Sequence, residues 1–343
     1  MITLDGSQGE GGGQIVRTAV TLSAITGRPV EITRVRAGRE NAGLRPQHVT
    51  AVEAVAAICR AKTSGVEVGS DRLTFEPGAA VRAGEYEWGV GTAGSACLVA
   101  QAVILPLALA TGETQLKLYG GTHVPNSPSG HYLRDVYAPM LLRMGIDVEI
   151  YMDSYGFAPE GGGMLTVYLK GGARPQSQRL IERGPLERVL GTAVGCNLPS
   201  HIPQRMANRA INLLDAIEAI DVPLDIRPLR TRSVSTGAGI FLAAEYENGR
   251  AGFGVLGRRG MPSEEVAERA VTPLLIFHDS GAAVDERLMD QLILPLALAE
   301  GPSVVSTSAI TRHLRTNIEV VRAFLDRRIA IDDARQLVTV DSQ

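Results

Sequence analysis

The amino-acid sequence predicts an α/β protein in which three repeated α/β units form a large domain, with a smaller α/β domain inserted before the third unit. The first observation is that ILPLALATG at residues 104–112 returns almost unchanged as ILPLALAEG at residues 293–301. The second is that residues 22–35 share their pattern of an apolar helix, a glycine turn and a strand. Such repetition is typical of one supersecondary unit that is used several times.

Each predicted unit continues with a polar loop, a second helix and a closing strand. The second helices are predicted from apolar residues at intervals of three and four, which lie on one face of a helix. They cover residues 45–58, 129–145 and 312–325. The closing strands are GVEVG, GIDVEIY and RIAIDD.

The spacing of the repeat locates the insertion. Gly27 and Gly112 are 85 residues apart, whereas Gly112 and Gly301 are 189 apart, and the surplus has the size of a small domain. The surplus segment has its own β-α-β-β-α pattern. The predicted large domain and inserted domain therefore cover residues 1–182 with 279–343 and residues 183–278, respectively.

The composition is that of an ordinary globular protein, with 45% hydrophobic and 21% charged residues. The formal net charge of −3 argues against a protein that coats nucleic acid through its overall charge. That net charge is still compatible with a local basic pocket that binds one phosphorylated end of a nucleic acid. Aromatic residues make up 4% of the chain, so the stacking platforms of single-strand binders are not expected.

The cysteines and the apolar segments favour a cytoplasmic protein. Cys59, Cys97 and Cys196 are odd in number and far apart, which predicts reduced, buried thiols and no disulfide or zinc framework. The N-terminus lacks the basic start and apolar run of a signal peptide. The longest apolar run, residues 96–110, is too short and too interrupted for a membrane span and predicts a buried helix.

Two glycine-rich loops are candidates for phosphate binding. Residues 4–20 and 88–101 each join a strand end to a helix start, where backbone N–H groups attract anions. Neither contains a P-loop or a full dinucleotide motif, so a tight structural turn is the alternative interpretation. Glu10 favours a ligand, because Mg²⁺ commonly bridges a carboxylate and substrate phosphates.

A basic stretch at residues 31–48 offers a second phosphate contact. Strand alternation predicts that Arg34 and Arg36 share one face, and Arg39 follows in the next loop. A solvated edge strand with protective charges is one interpretation. The other is a guanidinium clamp, which suits phosphate geometry.

His313 lies at the predicted start of the last helix, between Arg312 and Arg315. A structural histidine is the commonest alternative, metal ligation lacks a neighbouring His or Cys, and Thr311 or Thr316 suits the helix cap better. The two arginines would keep the imidazole neutral, which leaves it nucleophilic beside a bound phosphate.

His48 and His131 lie near the starts of the other two second helices. Packing of the units around a pseudo-three-fold axis would bring all three histidine loops to one cleft. A polar surface loop is the simpler interpretation.

Six segments together resemble the RNA 3′-terminal phosphate cyclases. They are GEGGGQIVR (9–17), RAGRENAGLRPQH (36–48), GTAGS (91–95), GFAPEGGG (156–163), DQLILPLALA (290–299) and HLRTN (313–317). They occur in the family's order from residue 3 to about residue 331. The family's architecture, three α/β units with an inserted thioredoxin-like domain, agrees with the interrupted repeat.

The resemblance implies a three-step, ATP-dependent reaction. A histidine is adenylylated, AMP passes to an RNA 3′-phosphate, and the 2′-hydroxyl displaces AMP to give a 2′,3′-cyclic phosphate. His313 matches the adenylylated histidine, and Glu10 matches a carboxylate that binds a divalent metal, Mg or Mn. The positions that match the nucleotide pocket are Gln101, Pro128, Arg287, Leu288, Met289, Asp290 and Gln291. Those that match contacts to phosphate and the RNA end are Arg17, Arg36, Arg39 and Gln47.

Two positions depart from the family pattern. Arg287 stands where relatives often carry an aromatic ring, although a guanidinium also stacks on adenine. Tyr155 replaces a basic residue that is common before the GFAPEGGG segment.

Other functional classes remain as alternatives. One is a non-catalytic, cyclase-like ribosome-biogenesis protein, against which the presence of His313 and Glu10 argues. Another is a transferase of related fold that acts on a small anionic metabolite and forms no covalent nucleotide. The expected partners are ATP and RNA with a 3′-terminal phosphate, without a membrane, and a homo-oligomer stays open.

Overall fold

The computed structural model describes residues 1–218 and 220–341, and within them it contains four mixed, four-stranded sheets with helices packed against them. This confirms the α/β class. The three cysteines are free and buried, as expected. Among the described residues, none of the helices has the length and apolarity that crossing a bilayer requires.

The first sheet is formed by the N-terminal segment. Its elements are β1 (Ile2–Asp5), α1 (Gly13–Thr26), β2 (Val30–Thr33), α2 (Pro46–Cys59), β3 (Lys62–Ser64) and β4 (Leu73–Glu76). The strand order is β1-β2-β4-β3, in which β1 and β2 are parallel and the other pairs are antiparallel. Helix α1 ends at Gly27, whose φ of 70° suits a left-handed C-cap.

The second sheet repeats this order. Its elements are β5 (Glu85–Gly89), α3 (Ala96–Leu109), β6 (Glu113–Gly120), α4 (Gly130–Tyr132), a π-helical turn (Leu133–Tyr137), α5 (Ala138–Arg143), β7 (Val148–Ser154) and β8 (Gly163–Lys170). Strands β5 and β6 are parallel, and β8 lies between β6 and β7. Helix α3 is buried along most of its length, which confirms the prediction for residues 96–110.

The C-terminal half of the chain contains the other two sheets. Its elements are β9 (Arg179–Leu180), β10 (Leu186–Cys196), α6 (His201–Asp215), β11 (Leu224–Thr231), β12 (Gly237–Tyr246), β13 (Arg250–Leu256), α7 (Ser263–Ser280), α8 (Glu286–Leu298), β14 (Ser303–Ser306), α9 (Arg312–Phe324), β15 (Ile329–Asp332) and β16 (Leu337–Val340). One sheet has the order β9-β14-β16-β15 and the other β11-β10-β12-β13.

Two separate hydrophobic cores support these sheets. The main core joins apolar residues from α1, α2, α3, α8 and α9 with those of the three sheets of like order. The second core lies between the sheet β10 to β13 and helices α6 and α7. Strand β13 is absent from the sequence prediction, because Gly252 and Gly254 interrupt its apolar run. Gly252 instead packs closely on Tyr132, where a Cβ would lie 2.6 Å from the ring.

Asp285 connects three parts of the molecule. Its buried carboxylate accepts hydrogen bonds from the Tyr132 hydroxyl at 3.0 Å and from the Gly252 N–H at 2.9 Å. It also caps helix α8 by accepting from the N–H groups of Arg287 and Leu288, both at 2.9 Å. Burial raises the pKa of the Asp285 carboxyl to about 6.

Replacing Asp285 by Ala is expected to lower the free energy of unfolding by about 2–4 kcal/mol, because the cap is lost and two buried donors lose their acceptor. Asp285→Asn keeps one acceptor oxygen and should cost less. Urea unfolding at neutral pH measures both. Equal stability of the Ala variant and the wild type would show that this junction does not hold α8 in place.

Candidate active site

The first glycine-rich loop lies against the N-terminus of helix α9. Thr311 caps this helix through its hydroxyl, which accepts from the Leu314 N–H at 3.0 Å, so the cap falls on Thr311 and not on His313. The Thr316 hydroxyl accepts from the Glu10 N–H at 3.3 Å. A Cβ on Gly9 would lie 2.1 Å from that hydroxyl oxygen, so only glycine allows this approach.

Glu10 lies between His313 and Arg39. Its Oε2 is 2.6 Å from Nδ1 of His313, and its Oε1 accepts from Nη2 of Arg39 at 2.7 Å. The first contact is close but poorly aligned, and Nδ1 of His313 is left as a buried atom without a hydrogen-bond partner. Arg39 and His313 also flank Gly12, lying 3.5 Å and 3.6 Å from the position of a Cβ there.

The surroundings of His313 differ from the sequence argument in one respect. Arg312 and Arg315 line a cavity of about 870 Å³ between β1, α9 and β15, and His313 is not among the residues that line it. Arg315 pairs with Asp333. The nearest charged partner of the ring is therefore Glu10 and not the two neighbouring arginines, since successive helix residues point about 100° apart.

A polar network surrounds Asp290, a carboxylate near the histidine. Nε2 of Gln14 donates to Oδ1 of Asp290 at 2.5 Å, and Nδ2 of Asn317 donates to the Asp290 carbonyl at 3.0 Å. The Thr18 hydroxyl donates to Asn317 at 2.7 Å. Burial raises the pKa of the Asp290 carboxyl, whereas the nearby His313 lowers it. Oε1 of Gln14 is buried and has no hydrogen-bond partner among the described residues.

Arginines gather around His48 next to this network. The pKa of His48 is lowered to about 3, chiefly by burial and then by repulsion from Arg17, Arg36 and Arg45. Burial lowers the pKa of Arg17 to about 10, although Asp290 opposes this shift. Positive groups that depress one another in this way favour a bound anion.

The basic stretch adopts turns where a strand was predicted. Strand β2 ends at Thr33, and Arg34 and Arg36 follow with φ of 51° and 54°. They therefore do not share a strand face, and that prediction is wrong. Arg34 pairs with Asp5 away from His48, whereas Arg36 donates to the carbonyl of Gly43 at 3.0 Å and braces the loop.

The residues that were predicted to bind the nucleotide lie in three different environments. Gln101 and Gln291 are hydrogen-bonded at 2.6 Å and line a narrow cleft with Arg17 and Asp290. The side chains of Leu288 and Met289 are fully buried in the main core. Arg287 is exposed at the start of α8, and Pro128 is partly exposed in the loop before α4.

Gln47 connects the two glycine-rich loops. Its side-chain oxygen accepts from the Ser95 N–H at 2.8 Å, at the N-terminus of α3. The second loop, like the first, is thus a strand-to-helix turn directed toward the basic cluster. Gln47 lies one residue before His48 and faces that turn.

The three predicted histidine loops converge in part. His48 lies against the first loop, where a Cβ on Gly13 would be 2.0 Å from its Nε2. His131 instead forms a buried pair with His123, with 2.8 Å between their ring nitrogens. Convergence is therefore correct for His48 and His313 and wrong for His131.

The sequence did not assign Gln14, Thr316 or Asn317 a role in the candidate site, and Thr316 was considered only as a helix cap. Gln14 follows three glycines, and Thr316 and Asn317 lie in the HLRTN segment that carries His313. Thr316 and Asn317 follow His313 by three and four residues, and residues at these intervals share a side of a helix. Their partners in the first glycine-rich loop, on α1 and on α8 could not be predicted, since these contacts span 276 to 306 residues of sequence.

Comparisons with known proteins agree on one family. The family model of RNA 3′-terminal phosphate cyclase matches residues 8–331. An RNA 3′-terminal phosphate cyclase of Nostoc punctiforme is 47% identical over 100% of this chain and 99% of its own. One of Pyrococcus furiosus is 40% identical over 95% of this chain and 94% of its own.

A further match is to a solved structure, the enolpyruvyl transferase NikO from Streptomyces tendae. It is 14% identical and covers 96% of this chain and 80% of that chain, with a TM-score of 0.16, which is too low for a shared fold to be inferred. The full-length sequence relatives and the family model leave one conclusion. The chain belongs to the RNA 3′-terminal phosphate cyclase family.

Proposed function

We propose that this protein converts the 3′-terminal phosphate of RNA to a 2′,3′-cyclic phosphate, using ATP and a covalent adenylate on His313. The observation that carries the proposal is the contact of His313 with Glu10, beside a glycine-rich loop, near Asp290 and next to a cluster of arginines. Such a site combines a nucleophile with positions for two anions. Family membership supports the same reaction.

The first step uses the side of the ring away from Glu10. A carboxylate at Nδ1 favours the tautomer that has its proton there, which leaves the lone pair of Nε2 for attack. Nε2 forms a bond to the α-phosphorus of ATP, and the bond from that phosphorus to the diphosphate oxygen breaks. Glu10 stabilises the positive charge that develops on the ring.

The later steps transfer and then release AMP. An oxygen of the RNA 3′-phosphate attacks the adenylate phosphorus, and the P–N bond to His313 breaks. The 2′-hydroxyl then attacks the RNA phosphorus and loses its proton, and AMP leaves. Proximity favours this ring closure, because both groups lie on one ribose.

The positive cluster suits the two phosphates that must meet. Arg36, Arg39 and Gln47 are proposed to contact the RNA end, and Arg17 the phosphates at the floor of the cleft. Gln101, Asp290 and Gln291 would hold the nucleotide, with Arg287 and Pro128 at its outer edge. Guanidinium groups reduce the repulsion between two anions, which otherwise opposes the reaction.

The residues present also fit a divalent metal held chiefly by ATP. Among the described residues, no three His, Cys, Asp or Glu side chains are grouped to hold a metal. Mg²⁺ often needs only one or two carboxylates beside substrate phosphates, and Glu10 provides one. Such an ion would neutralise charge on the phosphates during attack.

Replacing Glu10 by Gln is expected to slow adenylylation by about 10²-fold or more, because the variant loses a charge beside the histidine and the metal contact. Labelling with ATP across a range of Mg²⁺ concentrations measures both effects. Glu31→Gln, on an exposed ion pair with Arg72, is the matched control. An unchanged rate with unchanged Mg²⁺ dependence would remove Glu10 from the reaction.

The strand orders of the four sheets support a proposal for the domain organisation. Three sheets of one strand order support three copies of a single unit, and the sheet β10 to β13 supports an inserted domain with the strand order of a thioredoxin-like fold. Because β9 precedes the insert and pairs with β14, we place the insert within the third unit, after its first strand. The proposed domains are residues 1–182 with 279–343, and 183–278.

The test of the function uses the wild-type protein with α-³²P-ATP and a divalent metal. Label on the protein that is labile to acid and stable to alkali indicates a phosphoramidate. Addition of RNA with a 3′-phosphate should discharge the label and yield a cyclic end, whereas RNA with a 3′-hydroxyl should not. Absence of labelling would favour a non-catalytic binding protein or a transferase that forms no covalent nucleotide.

A further inference from the structure

One end of the sheet β10 to β13 has four exposed arginines. Arg230 and Arg232 lie at the end of β11, and Arg258 and Arg259 follow β13. The strand register brings these ends together, because Cys196 at the end of β10 pairs with Thr231, and Leu256 pairs with Gly239 at the start of β12. We propose that this end, the insert arginine surface, binds the RNA strand that leads into the 3′ terminus.

The charge of this surface is not balanced by the protein. Among the described residues, no carboxylate oxygen lies within the 4.0 Å ion-pair distance of any of these four arginines. Most other arginines of residues 183–278 do have such partners, namely Arg188, Arg205, Arg209, Arg227, Arg250 and Arg269. Unpaired positive charge is thus concentrated at one end of the sheet, where a polyanion is the complementary ligand.

The position of the surface connects it to the candidate active site. Val234, which is 67% exposed, packs on the loop 156–163, and a Cβ on Gly162 would lie 2.4 Å from it. The next residue, Ser235, accepts from the Glu160 N–H at 3.0 Å. The insert therefore rests directly on this loop of the second unit.

The same loop reaches the basic cluster. A Cβ on Gly161 would lie 3.0 Å from the carbonyl oxygen of Thr92, and Ser95 donates to Gln47 at 2.8 Å. A continuous surface thus runs from Gln47 across both loops to Arg232. Glu160 lies along it, and its carboxylate accepts a hydrogen bond from the Ser235 hydroxyl.

The ligand follows from this geometry and from the proposed function, on which the inference rests. An RNA whose 3′-phosphate occupies the cluster must leave it as a chain of further phosphates. The aromatic residues beside the loop, Phe157 and Phe241, are buried in a small core cluster against which Tyr155 packs. Contact with the RNA chain therefore depends on charge and not on base stacking. Binding should then be independent of sequence and sensitive to salt.

The test replaces Arg230, Arg232, Arg258 and Arg259 together by Gln. A matched control replaces Arg60, Arg82, Arg174 and Arg179, which are also exposed and also lack a carboxylate partner among the described residues. Arg60 follows the C-terminus of α2, whereas Gln47 and His48 lie at its other end, about 20 Å away for a helix of 14 residues. Circular dichroism and the unfolding midpoint confirm that both variants fold.

The measurement is fluorescence anisotropy with two 3′-phosphorylated RNAs, a dinucleotide and a long single strand, over a range of salt concentrations. For the long RNA, the surface variant should bind at least about tenfold more weakly at low salt, and the slope of log affinity against log salt should fall by about 2–3. Dinucleotide binding and labelling by ATP alone should be unchanged. The control variant should match the wild type.

The other possible outcomes distinguish a failure of the insert arginine surface from a failure of the proposed function. An unchanged slope for the long RNA, or equal losses for the dinucleotide and the long RNA, would overturn the insert arginine surface. The control variant losing as much as the surface variant would also overturn it. If the wild type shows the expected slopes but never cyclises either RNA with ATP, the proposed function fails while the surface stands.

Discussion

Replacing His313 by Ala or Asn is expected to abolish both ATP-dependent labelling of the protein and cyclisation of RNA. Loss of the nucleophile in covalent catalysis removes the first step, and comparable losses in other enzymes reach about 10⁴-fold or more. The fold should survive, because the side chain is 43% exposed and its Nδ1 has no aligned hydrogen bond. Gel autoradiography after incubation with α-³²P-ATP measures labelling, and a 3′-end assay measures cyclisation.

The matched control for this variant lies on the same helix. Glu319→Gln changes an exposed residue about two turns further along α9, where it pairs with Arg322. It should label and cyclise like the wild type. Labelling of both His313 variants at the wild-type rate would show that another residue carries the nucleotide.

Replacing Arg39 by Ala is expected to leave labelling by ATP largely intact and to block transfer of AMP to RNA. A charge-assisted phosphate contact is worth about 1–3 kcal/mol, which corresponds to several-fold to about a hundredfold in affinity. In the free protein the Arg39 guanidinium is hydrogen-bonded to Glu10. An incoming RNA phosphate would attract this guanidinium away from Glu10, which lies next to the proposed phosphate position. Single-turnover discharge of pre-labelled protein by 3′-phosphorylated RNA measures the step directly.

Two comparisons make the Arg39 result decisive. Arg34→Ala removes a guanidinium of the same basic stretch that pairs with Asp5, and it should discharge normally. RNA with a 3′-hydroxyl should not discharge even the wild-type protein. If Arg39→Ala instead stops labelling and spares transfer from pre-labelled protein, Arg39 belongs to the ATP site. The closeness of Arg39 to Glu10 and His313 makes this comparison necessary.

Local signals in the sequence were sufficient for much of the fold. The glycine loops, the capped start of α9 and the buried helix α3 follow from residue type and spacing, because they depend on neighbours a few residues away. Strand β13 did not follow, since Gly252 is explained by the approach of Tyr132 from another part of the chain and Gly254 by Phe241 of the neighbouring strand. The prediction of a strand at Arg34 and Arg36 was wrong for a related reason, because the alternation of residue types does not show where a strand ends.

By itself the sequence determined the α/β class, the motifs that resemble the cyclase family, and the candidate site residues His313 and Glu10. Only the tertiary structure decided which groups meet. It placed Glu10 against His313 in place of the neighbouring arginines, brought Asp290 near the same histidine, and paired His131 with His123 instead. These contacts join residues hundreds of positions apart, and they depend on how helices pack, which no local pattern specifies.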